Sequence, residues 1–195
     1  MSTDPANLEF KDFSYTDGGA YKGQVLPNTT LRSGTGDYSW PKIETRYIGD
    51  WKHDQINGNG QIFYENSDTY TGTFQANKKC GHGTFYWSSG NEYTGSWFDD
   101  KMSGDGDLKF ANGDSFSGNF VDGKRYGQGT LIYKNGDYYS GNWANNKMHG
   151  LGYMRSHRQS DDLPVLMVHG RIHKQDRSLS LLEATGSKAF FFDHW

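Results

Sequence analysis

The chain has 195 residues and a formal net charge of −3, a length that suits one domain and a charge that gives no global attraction for nucleic acid or acidic lipid. Only 33% of the residues are hydrophobic, yet 16% are aromatic, with 26 glycines and 4 prolines, which disfavours a helical or α/β core and favours strands and tight turns. The aromatic content also disfavours disorder, and the lone Cys80 cannot close an internal disulfide, which points to a reducing, intracellular compartment.

Residues 1–12, opening MSTDPANLEF, read as an N-terminal extension without the basic segment or apolar core of a signal peptide. No run of about 18 apolar residues follows that would span a membrane as a helix. Without a secretory route, the sequon at Asn28-Thr29-Thr30 reads as chance. A repeat array is expected over 13–172. "YTDGGAYKG", from Tyr15, aligns with "YKNGDYYSG" at 133–141, so Tyr15 closes a half unit. Tyr21, Gly23 and Val25 open an irregular unit, 21–46, whose Gly34/Gly36 pair is displaced by two residues.

Regular units follow at 47–69, 70–92, 93–115 and 116–138, then a partial one at 139–154. Their openers, Tyr47, Tyr70, Tyr93, Phe116 and Tyr139, stand 23 residues apart. Two residues after each comes a glycine (Gly49, Gly72, Gly95, Gly118, Gly141), and two further an aromatic (Trp51, Phe74, Trp97, Phe120, Trp143). A GxG pair closes the pattern: Gly58/Gly60, Gly81/Gly83, Gly104/Gly106, Gly127/Gly129 and Gly150/Gly152. Such a period marks a repeat architecture. Downstream, Val168 to Ile172 reads as a degraded opening strand after the loop RQSDDLP.

Within a unit the alternation has period two, so Tyr47, Gly49 and Trp51 share one face and Gly60, Ile62 and Tyr64 another strand's same kind of face. Each unit is then a hairpin. Asp122-Gly123 and Asn145-Asn146 suit positive φ inside units, and Asn112-Gly113 and Asn135-Gly136 between them. Asn66-Ser67 lacks the glycine and predicts a looser turn. Consecutive hairpins give an all-β, elongated, twisted single antiparallel sheet of about six units, roughly 58 Å long before twist. The strand glycines leave room for a ring to lie across the backbone.

These slots, with "YIGDWKHDQINGNGQIFYENSDT" at 47–69 and its successors, resemble the membrane occupation and recognition nexus (MORN) repeat over about 15–172. The resemblance implies a single twisted sheet and a scaffolding role with protein partners. Phe116 departs from the opening tyrosine, the first unit carries an insertion, and the last breaks down after Met154. Small chains made almost wholly of such repeats resemble axonemal components of cilia, including radial spoke head proteins, and cytoskeletal assemblies. That analogy implies a ciliary or cytoskeletal location.

Chemistry finds little support. The GxG pairs run into strands and lack the third glycine of a dinucleotide loop. Cys80 and His82 do not complete a metal site, His53 and His149 read as solvated turn residues, and no GxSxG elbow occurs. The flanks 1–46 and 155–195 are too short for an enzyme domain. No catalytic residue, metal, cofactor or small-molecule substrate is expected.

Binding is expected on the aromatic face, where Tyr38/Trp40, Ile62/Tyr64, Phe85/Trp87, Leu108/Phe110 and Leu131/Tyr133 are all apolar. A contiguous apolar patch of that size rarely stays uncovered. Trp40, Tyr64, Trp87, Phe110, Tyr133, Trp51, Trp97 and Trp143 are the candidate partner-binding residues. The alternative is an anionic lipid surface. Residues 47–154 hold nine Lys and Arg against twelve Asp and Glu, and the pairs Lys78-Lys79 and Lys124-Arg125 read as solvated charge at hairpin tips, well short of a polybasic cluster. The tail, 173–195, differs: Ser180 to Glu183 fits a capping box opening a short helix, and Phe190, Phe191, Phe192 and Trp195 predict an end that docks on something.

Overall fold

The computed structural model describes residues 7–158 and 161–175. They form one sheet of fifteen strands whose spatial order is the chain order, each pair antiparallel. A leading strand, β1 (Glu9–Ser14), precedes seven hairpins. These are β2 (Ala20–Val25) with β3 (Arg32–Trp40), β4 (Thr45–Lys52) with β5 (Gln55–Phe63), and β6 (Thr69–Gln75) with β7 (Lys78–Tyr86). Then come β8 (Glu92–Phe98) with β9 (Lys101–Lys109), and β10 (Ser115–Val121) with β11 (Lys124–Ile132). Last are β12 (Tyr138–Ala144) with β13 (Lys147–Arg155), and β14 (Leu163–Val168) with β15 (Arg171–Gln175). The irregular unit takes two of its extra residues into the β2–β3 loop, 26–31, and one into the connection that holds a 3₁₀ turn at Pro41–Ile43. The expected tail helix and the tail's docking residues lie outside the described residues.

The seventh hairpin corrects the reading of Val168 to Ile172 as an opening strand. Opening is the part of Leu163–Val168, and His169-Gly170 is its turn. Val165 occupies the glycine slot there, paired with Gly152.

Two kinds of turn alternate. Inside every hairpin after β2–β3 the loop is two residues long with positive φ at both, as at Asp99-Asp100 (48°, 68°), Asn145-Asn146 (49°, 68°) and even Ala76-Asn77 (48°, 68°). These angles are the type I′ geometry that matches strand twist. Between units the loop has three residues with only the last at positive φ: Gly90, Gly113, Gly136 and Ser67. Asn112 and Asn135 therefore do not take the positive φ expected of them; they sit in a type I turn that ends in a left-handed residue. Ser67 is not looser either. Its loop carries the same two backbone bonds, Tyr64 N to Asp68 O and Ser67 N to Tyr64 O, both 3.0 Å.

The GxG pair has two jobs. In β4–β5, Gly49 pairs Gly60, but the next pair is Trp51 with Ile56, so three residues of β5 face one of β4. Gly58, at φ 106°, carries that bulge. The second glycine makes room. A Cβ on Gly106 would lie 2.5 Å from the Tyr93 hydroxyl, and one on its cross-strand partner Gly95 would lie 2.5 Å from the Gly106 Cα. Each opening tyrosine thus lies flat over a glycine pair, fully buried, and its hydroxyl donates to the backbone three residues on: Tyr93 to Ser96 O and Tyr139 to Asn142 O, both at 2.9 Å. Phe116 fills the same slot without that bond.

Edge-to-face contacts link the buried rings into a column. From Tyr47 it runs through Phe74, Tyr70, Trp97, Tyr93, Phe120 and Phe116 to Trp143, with centroid steps of 5.0–5.4 Å. Such pairs stabilise beyond their buried area. Asx side chains tie the turns together along both ends of the strands. At the hairpin tips Asp54, Asn77, Asp100 and Asn146 accept the backbone N–H of Arg32, Ile56, Lys79 and Arg125 at 2.8–2.9 Å. At the other end Asp68, Asn91, Asp114 and Asp137 accept from Ser88, Ala111, Lys134 and His157 at 2.7–2.9 Å. Each unit is thereby registered on the next.

Candidate functional site: the aromatic face and its enclosed cations

One face of the sheet carries the buried core, whereas the other is mixed and leaves Ile48, Tyr86, Tyr126 and Ile132 exposed. Beside the buried column runs a second row, half-buried, formed by the ends of the closing strands. It contains Trp40, Tyr64, Trp87, Phe110 and Tyr133, each packed against the core and each still reaching solvent. Beyond Tyr133 the row opens into a recess of about 680 Å³ bordered by Met154, Leu163 and Ile172.

The other three expected binding residues sit elsewhere. Trp51, Trp97 and Trp143 are 4%, 6% and 4% exposed. Their indole N–H groups donate to the glycine carbonyl of the preceding unit, Trp97 to Gly83 O and Trp143 to Gly129 O at 3.0 Å and Trp51 to Gly36 O at 3.2 Å. These rings belong to the interior because the preceding unit's backbone satisfies their only polar atom. A partner would meet the outer row, not these.

Cations lie between the rows. Lys79, read from sequence as tip charge, turns inward and is half-buried. Its Nζ stands 5.2–5.7 Å from the ring centroids of Tyr64, Tyr70, Phe85 and Trp97, and donates to the Tyr64 hydroxyl at 3.3 Å. Arg125 is placed alike, 4.5 Å from Trp143, 5.4 Å from Phe116 and 5.8 Å from Phe110. Arg32 is third, 4.2 Å from Trp51 and 4.8 Å from Tyr38. Burial lowers the Lys79 pKa, against the opposing charge of Asp100, and burial likewise lowers that of Arg125. The neighbours Lys78 and Lys124 are exposed as expected, and Lys78 pairs with Asp99.

The cations differ in their counter-charges. Arg32 Nε meets Asp54 Oδ1 at 3.0 Å. Among the described residues no carboxylate forms an ion pair with Lys79 or Arg125. The Arg125 guanidinium instead donates to the Asn146 carbonyl at 3.0 Å. Register was the missed signal: Lys79 pairs Phe74 and Arg125 pairs Phe120 across the hairpin, so both share the face of those rings.

Outside this face, His53 is exposed as expected. His149 is a strand residue rather than a solvated turn residue; its Nδ1 is buried without a partner, and its ring lies 5.6 Å from that of His169. Among the described residues no three His, Cys, Asp or Glu side chains group as metal ligands. No helix among them is long and apolar enough to cross a membrane.

The profile of the MORN repeat matches five consecutive segments, 47–69, 70–92, 93–115, 116–138 and 139–157. No curated protein sequence gives a significant match. Solved structures similar to the chain include the TCP domain of SAS-4 (dCPAP) of Drosophila melanogaster in complex with a proline-rich motif of Ana2 (dSTIL), at 14% identity and TM-score 0.43, covering 82% of this chain and 79% of that one. The wild-type TCP10 domain of Danio rerio CPAP is similar at 9% identity and TM-score 0.46, covering 84% and 80%. The G-box domain of the microcephaly protein CPAP is similar at 9% identity and TM-score 0.47, covering 86% and 98%. The repeat profile spans more than half of the residues, and its tyrosine and glycine slots are the ones that build the ring column, so the chain belongs to the MORN repeat family.

Proposed function

We propose that the protein is a non-enzymatic scaffold that receives protein partners along the outer aromatic row, within a ciliary, axonemal or other cytoskeletal assembly. The observation that carries this reading is the division of the rings. One set is consumed by folding, while Trp40, Tyr64, Trp87, Phe110 and Tyr133 remain half-exposed at the same slot of successive units. Tyrosine and tryptophan held rigidly in that way are favoured anchors at interfaces. An anionic membrane is the lesser reading, because two of the exposed tip cations are already engaged, Lys78 with Asp99 and Lys101 with Asp122 at 2.9 Å, and the others are spread singly along the sheet.

Native pull-down with mass spectrometry, using the full chain, tests the scaffold. Wild type is expected to recover a defined set of proteins. Trp87→Ala and Tyr133→Ala should weaken that capture by about 1–3 kcal/mol each while melting cooperatively. Recovery with anionic liposomes only, abolished by Lys78→Glu with Lys124→Glu and by salt, would replace this reading with the membrane one.

A further inference from the structure

In the first six hairpins the residue at one register place after the tip faces the ring column, and its identity alternates; the seventh carries the exposed Ile172 there. Ile56, Met102 and Met148 occupy it in one set of units; Arg32, Lys79 and Arg125 occupy the equivalent inward place in the other. The opening aromatics alternate with it. A cation stands opposite Phe74 and Phe120, and its side chain reaches the tryptophan of the following unit, Trp97 or Trp143. Over these six hairpins the structural period is thus two units, not one.

Methionine demonstrably fits this place in the same sheet. A half-buried cation there loses hydration, and the lowered pKa of Lys79 and of Arg125 reflects that loss. Cation–π contact returns part of it. A carboxylate would return more, yet only Arg32 has one, from Asp54. Lys79 and Arg125 are left as positive charges recessed beside an exposed aromatic row.

Resting on the scaffold reading above, we propose that the outer row binds an extended acidic peptide whose carboxylates seat at Lys79 and Arg125. Four strand spacings separate β7 from β11, about 19 Å before twist, a distance that an extended segment covers in about six residues. The ligand is accordingly a strand-like segment with apolar side chains for the rings and two acidic residues about six positions apart. A membrane is the poorer match: single recessed cations at this separation do not make the cluster of about four that anionic headgroups need.

The probe is a fluorescent peptide of about twelve residues, alternating apolar and small residues with two glutamates about six positions apart. Its partner has glutamine at both places. Anisotropy with the full chain should show the glutamate peptide binding about tenfold more tightly. Lys79→Met with Arg125→Met should remove that preference while the protein melts at or above the wild-type temperature, since methionine already serves this place in other units. Lys78→Gln with Lys124→Gln should leave the preference intact. Equal affinity of the two peptides, with both weakened by Trp87→Ala, would overturn the acidic preference and leave the scaffold standing. No binding of either peptide, with vesicles of phosphatidylcholine and phosphatidylserine binding instead, would overturn both. A melting temperature that drops in the double methionine variant while the preference survives would assign the cations to folding alone and also overturn the proposal.

Discussion

At the scale of single residues the fold rests on a contact between tyrosine and glycine. The ring lies on two glycines paired across a hairpin, so neither can carry a side chain. Gly95→Val should therefore destabilise by about 3 kcal/mol, because its Cβ would meet the Gly106 backbone and the Tyr93 hydroxyl together. Thr94→Val, on the other face, should lose no more than the single hydroxyl bond between Thr94 and Thr84, about 1 kcal/mol. Denaturant midpoints of the two variants decide the matter; coincident midpoints would mean that the glycine slot tolerates a branched side chain. This slot was legible in the sequence, since glycine recurs there with a fixed offset from tyrosine. The cations were not, because a Lys-Lys or Lys-Arg pair beside a turn looks alike whether one member or neither points inward. Only the register opposite Phe74 and Phe120 separates Lys79 and Arg125 from Lys78 and Lys124.

At the scale of hairpins the turns tell a similar story. The loops between units need one left-handed residue, which Gly90, Gly113 and Gly136 supply at φ 88–95°. Ser67 adopts φ 66° in the same place and holds the same bonds, so the loop shape is imposed by its strands and by the Asp68 and Asn66 side chains rather than by glycine. Ser67→Gly should relieve that conformation by about 0.5–1 kcal/mol and raise the melting temperature by about 2 °C or more. An unchanged or lower value would show that the serine is unstrained there. The strands and their pairing could be read from alternation and period. The turn types could not: Ala76 at φ 48° carries no residue-level sign of a type I′ turn, and the tight geometry comes from the paired ends Gln75 and Lys78. The last hairpin was misplaced for a related reason. With Val165 in the glycine slot and Met167 in the aromatic one, its opening strand has lost the letters of the repeat while keeping the register.

For the whole molecule, a core made of phenols sets an alkaline limit. Burial pushes the Tyr21, Tyr64, Tyr93 and Tyr139 hydroxyls up to about 12, and raises those of Tyr47 and Tyr70 as well. Unfolded tyrosine ionises near 10. A raised folded pKa gives stability that is complete below about pH 10 and lost as pH climbs toward about 12. The denaturant midpoint should therefore hold steady to about pH 10 and then fall steeply, with phenolate absorbance from the buried set appearing together with unfolding. A midpoint that persists unchanged to pH 12 would mean that these hydroxyls ionise in place, against their burial.

The neighbour-only order of the strands has a consequence for how the sheet comes into being. Every strand pairs with the strands just before and after it in the chain, and none waits for a distant partner. Closing a hairpin takes on the order of 1–10 μs, far shorter than the time in which a chain grows by one residue during synthesis at about 5–20 residues per second. A completed unit presents its Asx side chains and its open tyrosine pocket to the unit that follows, so the sheet can lengthen by accretion at the pace of translation. Low contact order also favours fast folding from many starting points. The same arrangement keeps a raw edge at the growing end, besides the one that β1 presents, so every new strand must pair correctly before the next can build on it.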